Sequence, residues 1–333
     1  MNNTFMDSHV HIFSHQFMDG GIYFGDRGLP KRAVMLAIRV GEYLRGADVV
    51  PDELEDVVEF ALKLFRLDDE AEGLREMIRV FYSSPAAQLA KLQKEWKELG
   101  ISGGCVLIPQ VGEYRKATEA ITAAAAQYDN VRVFAPWACN HLPGVSGTKF
   151  YPALEGRDNV RQMLEDGLPM TVHCSPGGIR AAKYSESQAK ALNRPGWVND
   201  ALELGIPFKV CLAHGGGRDG FVSFSMNQDE PGRNYPIDNL LRDLCPGMSE
   251  RPDCRLFVDT AFHEHQSRAD YKTAVMRLPG WWRGSVLLGS DWPLHLAKYS
   301  YAQWARETRA AWGEVLDEVR AAEVAFFGVE VTP

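Results

Sequence analysis

The sequence predicts an α/β fold, a (β/α)8 or TIM barrel of eight parallel strands alternating with helices. Three observations predict it. From residue 101 onward, short apolar runs rich in β-branched residues alternate with stretches of helical periodicity, the pattern of buried strands paired in parallel through helical crossovers. With one strand at the N-terminus the runs number eight, the count that closes such a barrel. Ligand-type side chains recur at the C-terminal ends of these runs, the end at which such barrels carry their sites.

The first strand is expected over residues 5–13. Side chains alternate faces along a strand, so His9 and His11 project together while Val10 and Ile12 face the other way. Glycine-rich turn material follows at 19–28, and residues 31–99 read as helices. That is more helix than one connection needs. Residues 28–100 are therefore expected to be a helical insertion, packed over the barrel rim because it follows the strand that bears His9 and His11. Its last helix has clear ends: Ser84 as N-cap, Pro85 at the first helical position, Leu89, Leu92, Trp96 and Leu99 at helical spacing, then Gly100. The remaining strands are expected at 105–108, 131–134, 148–151, 170–173, 208–212, 256–259 and 285–289. Helices are expected at 114–127, 157–166, 196–204 and 237–244, with two more after the last strand. Only about ten residues separate strands three and four, too few for a full crossover helix.

Length alone permits two domains or one large barrel. The strand count favours a single domain over 1–333, with apolar surface enough to need no disulfide or metal staple. Hydrophobic residues are 45% and charged residues 24%, ordinary for a globular chain. A net charge of −8 without a long basic run argues against nucleic acid and against an anionic membrane surface as partners. No apolar run reaches transmembrane length, and the first residues lack the basic and apolar regions of a signal peptide, so a cytoplasmic protein is expected. Cys105, Cys139, Cys174, Cys211, Cys245 and Cys254 form no C-x-x-C pair and read as reduced thiols. The expected partner is a small-molecule substrate, and self-association is compatible with the composition.

The chemistry-bearing residues fall in order along the barrel. Strand 1 ends in His9 and His11, strand 4 carries Lys149, strand 5 ends in His173, and strand 6 ends in His214 before three glycines. Strand 8 ends in Gly289, Ser290 and Asp291. Each has a bland reading alone: a satisfied core histidine, an exposed lysine, a turn aspartate. Six such residues at five strand ends point to one metal site. Imidazole and carboxylate ligands without thiolate suit a catalytic zinc or manganese ion better than a closed structural site. Trp137, Asn140 and His141 after strand 3, Tyr151 after strand 4, Arg180 after strand 5, and His263 and His265 after strand 7 are candidates to shape substrate choice. Arg180 would clamp a carboxylate. Cys174 adjoins His173 and should point away from the metal into the packing.

The segments Asp7-Ser8-His9-Val10-His11, Gly147-Thr148-Lys149-Phe150-Tyr151-Pro152, Val172-His173, Ala213-His214-Gly215-Gly216 and Gly289-Ser290-Asp291-Trp292-Pro293 together resemble the amidohydrolase superfamily. Within it the chain is most similar to the amidohydrolase-related branch (amidohydrolase 2) of TIM-barrel metal-dependent hydrolases. The resemblance runs from the first strand to the eighth and explains residues 28–100 least. It implies a divalent ion, zinc or similar, held by His9, His11, His173 and Asp291, with Asp291 or His214 moving protons. One ion is favoured. A carboxylated Lys149 would bridge two, with His173 and His214 on the second. The activity it implies is hydrolysis of a small lactone, ester or amide by a metal-activated water. The alternative is non-oxidative decarboxylation, or hydration, of an aromatic or unsaturated carboxylic acid, with His214 as proton donor. A barrel used only for binding is the third reading, and the full ligand set speaks against it.

Overall fold

The computed structural model describes residues 4–12, 83–174, 180–193, 204–216, 254–261, 280–297 and 299–328, with Glu76, Val80 and Met276 between them. Eight strands form one sheet in the order of the chain: β1 (Phe5–Val10), β2 (Ile101–Leu107), β3 (Val131–Ala135), β4 (Gly147–Phe150), β5 (Met170–Val172), β6 (Phe208–Leu212), β7 (Cys254–Asp259) and β8 (Val286–Leu287). Every neighbouring pair is parallel. The ring closes where β8 returns to β1. Ser8 N donates to Leu288 O at 2.7 Å, Asp291 N to His9 O at 2.7 Å and His11 N to Trp292 O at 2.6 Å, and Val10 bridges in parallel to Trp292. The TIM barrel expected from the strand count is the observed fold.

The described helices are α1 (Pro85–Leu99), α2 (Tyr114–Ala125), α3 (Pro152–Glu155), α4 (Val160–Glu165), α5 (Glu186–Leu192), α6 (Gly280–Arg283), α7 (Tyr301–Trp312) and α8 (Leu316–Phe327). The sequence signals at the ends of α1 act as expected. The Ser84 side chain accepts from Ala87 N, Pro85 opens the helix, and Gly100 closes it at φ 64° with its N–H on Trp96 O. A serine cap of this kind contributes about 0.5–2 kcal/mol. The buried face of α1, with Leu89, Leu92 and Trp96, packs on β2 and beside α2 and α7. Thus α1 is the crossover helix that leads into β2. Apart from Glu76 and Val80, which are helical, the earlier part of the expected insertion lies outside the described residues, as do the helix expected at 196–204, save Leu204 in a turn, and the one expected at 237–244. Between β3 and β4 the chain makes only the 3-10 turn Trp137–Cys139, as the short spacing required.

Two apolar layers follow from the period of two along each strand. Val106, Val133, Phe150, Val172, Val210, Leu212, Val258 and Val286 belong to the large cluster shared with the surrounding helices. Cys105, Leu107, Phe134, Cys211, Phe257 and Leu287 form a second cluster with Ala322 and Phe326 of α8. Phe326 sets its ring 5.8 Å from that of Phe134 and 5.1 Å from that of Phe257. Arg320 Nε on the same helix donates to Thr4 O at 2.8 Å, so α8 stoppers the N-terminal end of the barrel. The five cysteines of the described residues are buried and form no disulfide; Cys245 lies outside them.

The stopper carries one costly group. Glu323 is wholly buried; its Oε1 accepts Met6 N–H at 2.9 Å, and its Oε2 accepts no hydrogen bond from a described residue. Burial pushes the carboxyl up to about 8 from an ordinary 4.5, against the smaller pull of Met6 N–H and Arg320. A carboxyl whose folded pKa is raised favours the folded state fully below about 4.5 and loses that contribution as pH climbs through about 8. Glu323→Gln keeps the acceptor for Met6 and copies the neutral form. It should raise the unfolding free energy at pH 8.5 to 9 by on the order of a few kcal/mol and leave that at pH 4 to 4.5 nearly unchanged. Urea unfolding of both proteins at the two pH values checks this.

Candidate metal centre

The β1–β8 seam brings three side chains to one point. His9 Nε2 and His11 Nε2 lie 3.2 Å apart, and Asp291 Oδ1 lies 3.2 Å from the first and 3.1 Å from the second. Gly289 makes the approach feasible, since a Cβ there would stand 2.6 Å from His9 Cβ. Asp291 itself turns with φ 62°, a left-handed conformation that aspartate tolerates better than most residues.

The far side of each imidazole decides what the near side offers. His9 Nδ1 sits 2.7 Å from Asp259 Oδ2, and His11 Nδ1 sits 2.8 Å from the Leu107 carbonyl oxygen. A carboxylate and a carbonyl only accept, so both Nδ1 atoms carry a proton, and Nε2 is the nitrogen each ring would offer a cation once that position is deprotonated. These are the outer hydrogen bonds that orient metal-ligating histidines. Asp291 stands at ion-pair distance from both imidazoles, and among the described residues neither of its oxygens accepts a well-aligned hydrogen bond. An uncompensated buried carboxylate is expensive. Four-coordinate zinc with ligands at about 2.0–2.1 Å sets neighbouring ligand atoms roughly 3.3 Å apart, close to the triangle seen here. The donor set therefore fits one divalent cation held by His9, His11 and Asp291.

A second trio, His9, His214 and Asp259, also lies within 4.8 Å. Its carboxylate is already committed. Oδ2 takes His9, while Oδ1 takes the His214 N–H at 2.8 Å and the Ala261 N–H at 3.2 Å. Asp259 is thus a strut that orients His9 and the His214 backbone, which turns with φ 59°.

The electrostatics follow the same division. Burial would raise the Asp291 carboxyl, but the His11 and His9 imidazoles outweigh it and hold it well below the usual carboxylate range. Burial presses His9 down, and the Asp259 charge reverses this to about 9. Burial also lowers His11, and it takes His214 to about 3, leaving that ring neutral near pH 7.

His214 stands with its ring centroid 5.0 Å from that of His9 and 5.2 Å from that of His173. Among the described residues His173 belongs to neither trio; it stacks on Tyr151 at 4.9 Å. Lys149 is fully buried, its amine without a hydrogen-bond partner among the described residues and 4.9 Å from the centre of the Tyr151 ring, and burial lowers its pKa. Trp137 donates its indole N–H to Asp166 Oδ2 at 2.7 Å, and Asn140 bonds Thr148 Oγ1 at 3.0 Å, both between the β3–β4 connection and its neighbours. His141 pairs with Arg115 at 2.9 Å on an exposed face. Arg180 is half-buried in the segment after β5. His263 and His265 lie outside the described residues. Cys174 belongs to the outer cluster, and burial pushes its thiol up to about 12, as expected for a packing residue.

Asp259 is the site residue that motif reading passed over. Its signal was present: a carboxylate ending the apolar run 256–259 at the C-terminal end of a strand.

No protein-family model matches the chain, and no curated protein matches it. Among solved structures it is similar to a probable 2-pyrone-4,6-dicarboxylic acid hydrolase from Acinetobacter baumannii with citric acid bound, at 14% identity over 72% of this chain and 88% of that one, TM-score 0.47. It is similar to an amidohydrolase from Burkholderia multivorans with bound zinc, at 12% identity over 72% and 88% of the two chains, TM-score 0.48. It is similar also to amidohydrolase 2 from Bifidobacterium longum subsp. infantis, at 15% identity over 72% and 86%, TM-score 0.45. Identities of 12–15% carry no residue correspondence.

Asp259→Asn keeps the size but removes the charge behind His9. Zinc affinity, read by competition with a chelating dye, should fall about 10–100-fold, the usual effect of losing an outer partner of a ligand. An unchanged affinity would deny Asp259 that role.

Proposed function

We propose that this chain is a metal-dependent hydrolase of the amidohydrolase type, acting on a small lactone, ester or amide. The observation that carries the reading is the closed triangle of His9 Nε2, His11 Nε2 and Asp291 Oδ1, with both Nδ1 atoms locked from behind and the Asp291 oxygens otherwise unpaired. A divalent ion bound there supplies acidification of water toward neutral pH and polarisation of a carbonyl.

The residues of the chain then divide the work. His9 and His11 hold the ion, fixed in tautomer by Asp259 and the Leu107 carbonyl. Asp291, kept ionised, accepts a proton from the attacking water and passes it to the leaving group. His214 is a neutral ring at the edge of the same centre, placed to hold the second proton position or the substrate oxygen. Lys149 sets its amine against the Tyr151 ring with no hydrogen bond to a described residue, which suits either a carbamate or an acidic substrate group. Tyr151 and His173, stacked, offer a flat wall to a planar ring or ester.

The purified protein should carry close to one equivalent of divalent ion by elemental analysis. His9→Ala together with His11→Ala should abolish uptake while the fold persists, because the apolar layers supply most of the stability. No ion in the purified protein and none on reconstitution would remove the proposal. Asp291→Asn should lower turnover by about 10²–10⁴-fold and metal content much less. Near-normal turnover would pass the proton role to His214. The assay is a panel of lactones, esters and amides, run beside aromatic and unsaturated carboxylic acids; carbon dioxide release from the acids without hydrolysis would make the enzyme a decarboxylase.

A further inference from the structure

A second buried network lies at the same seam. Asp7 is wholly buried and receives four hydrogen bonds. Its Oδ1 accepts from Ser290 N at 2.9 Å and His9 N at 3.3 Å. Its Oδ2 accepts from Ser290 Oγ at 2.5 Å and from the Tyr301 hydroxyl at 2.6 Å. Tyr301 in turn accepts the indole N–H of Trp96 at 2.7 Å. Ser290 Oγ also accepts from Trp292 N at 3.0 Å. The peptide units on both sides of Asp291 are therefore held: Ser290 by Asp7 directly, Trp292 by Ser290. Between them Asp291 keeps the left-handed turn that aims Oδ1 at the two imidazoles.

We propose that Asp7 is a positioning residue for Asp291, set in its own orientation by Tyr301 of α7 and, through it, by Trp96 of α1. The inference rests on the metal-centre reading above and adds to it a clamp outside the ligand set. Asp7 shares no hydrogen bond with either imidazole, so its effect reaches the centre only through Ser290 and the backbone at His9. Four donors hold both carboxylate oxygens, so the loss of one loosens the carboxylate and, through it, Ser290. A loosened Asp291 would still carry its charge but would no longer present Oδ1 at the apex of the triangle.

Metal-free wild type, Asp7→Asn and Tyr301→Phe are titrated with cobalt(II) and, in competition, with zinc. Affinity and the visible cobalt absorption, which reports coordination geometry, are read together with thermal unfolding. Asp7→Asn should weaken cobalt binding about 10–100-fold and change the intensity or position of the band. Tyr301→Phe removes one hydroxyl and keeps the ring stacked on Trp304, 5.3 Å away; it should weaken binding at least threefold in the same direction. A purely structural network would lower the unfolding temperature and leave affinity and band unchanged. A loss under threefold with an unchanged band in folded Asp7→Asn overturns the proposal. If Asp7→Asn does not fold, Tyr301→Phe decides by the same threshold. Wild type that binds neither ion removes the metal-centre reading and the clamp with it, an outcome distinct from a wild type that binds while its variants bind equally well.

Discussion

The seam between β1 and β8 is the constraint on which the rest of the site depends. Three backbone hydrogen bonds of 2.6–2.7 Å join 8, 9 and 11 to 288, 291 and 292. They place His9, His11 and Asp291 within van der Waals reach before any side-chain interaction is counted. The absence of a side chain at Gly289 lets the two segments approach, and the left-handed turn at Asp291 brings its carboxylate over the top of the strand rather than along it. Everything electrostatic at the centre is arranged around that backbone contact.

Three buried carboxylates surround the seam, and their partners assign them different tasks. Asp259 faces donors on both oxygens and serves as a strut. Asp7 faces four donors, and despite them burial pushes it up to about 6. Asp291 faces two imidazole nitrogens at ion-pair distance and, among the described residues, accepts no well-aligned side-chain hydrogen bond. Among the three, the one without hydrogen bonds is the one suited to a cation, because a buried charge must be compensated by something. Clean separation of these roles needs no difference in residue type, only a difference in what lies within 3 Å.

Much of the barrel was legible because buried parallel strands write themselves as apolar runs. All eight strands lie where the runs placed them, and the capped helix at 85–99 was readable from Ser84, Pro85 and Gly100. The convergence of His9, His11 and Asp291 was legible from period-two alternation and position at strand ends. The two supporting networks were not. Asp259 looked like the end of a strand, and Asp7, Tyr301 and Trp96 carry no spacing rule, since their meeting depends on how α1 and α7 pack against the sheet. Trp137 shows a partner that spacing did not announce. It follows a strand as a rim residue does, yet the connection after β3 is so short that the chain turns down the barrel wall, where its indole finds Asp166.

The seam also joins segments made at very different times. Asp7 and Ser290 are separated by 283 positions, and Met6 and Glu323 by 317. At a synthesis rate of about 5–20 residues per second, roughly a quarter of a minute to a minute passes between the emergence of the histidines and that of the carboxylate. During that interval β1 has no eighth strand to pair with, and two imidazoles alone make a weak and unselective chelator. On the reading proposed here, the ion is therefore acquired by a finished barrel and not by a nascent one. Its identity is then chosen by the metal pool that the folded protein meets, and loading and folding become separate steps open to separate control.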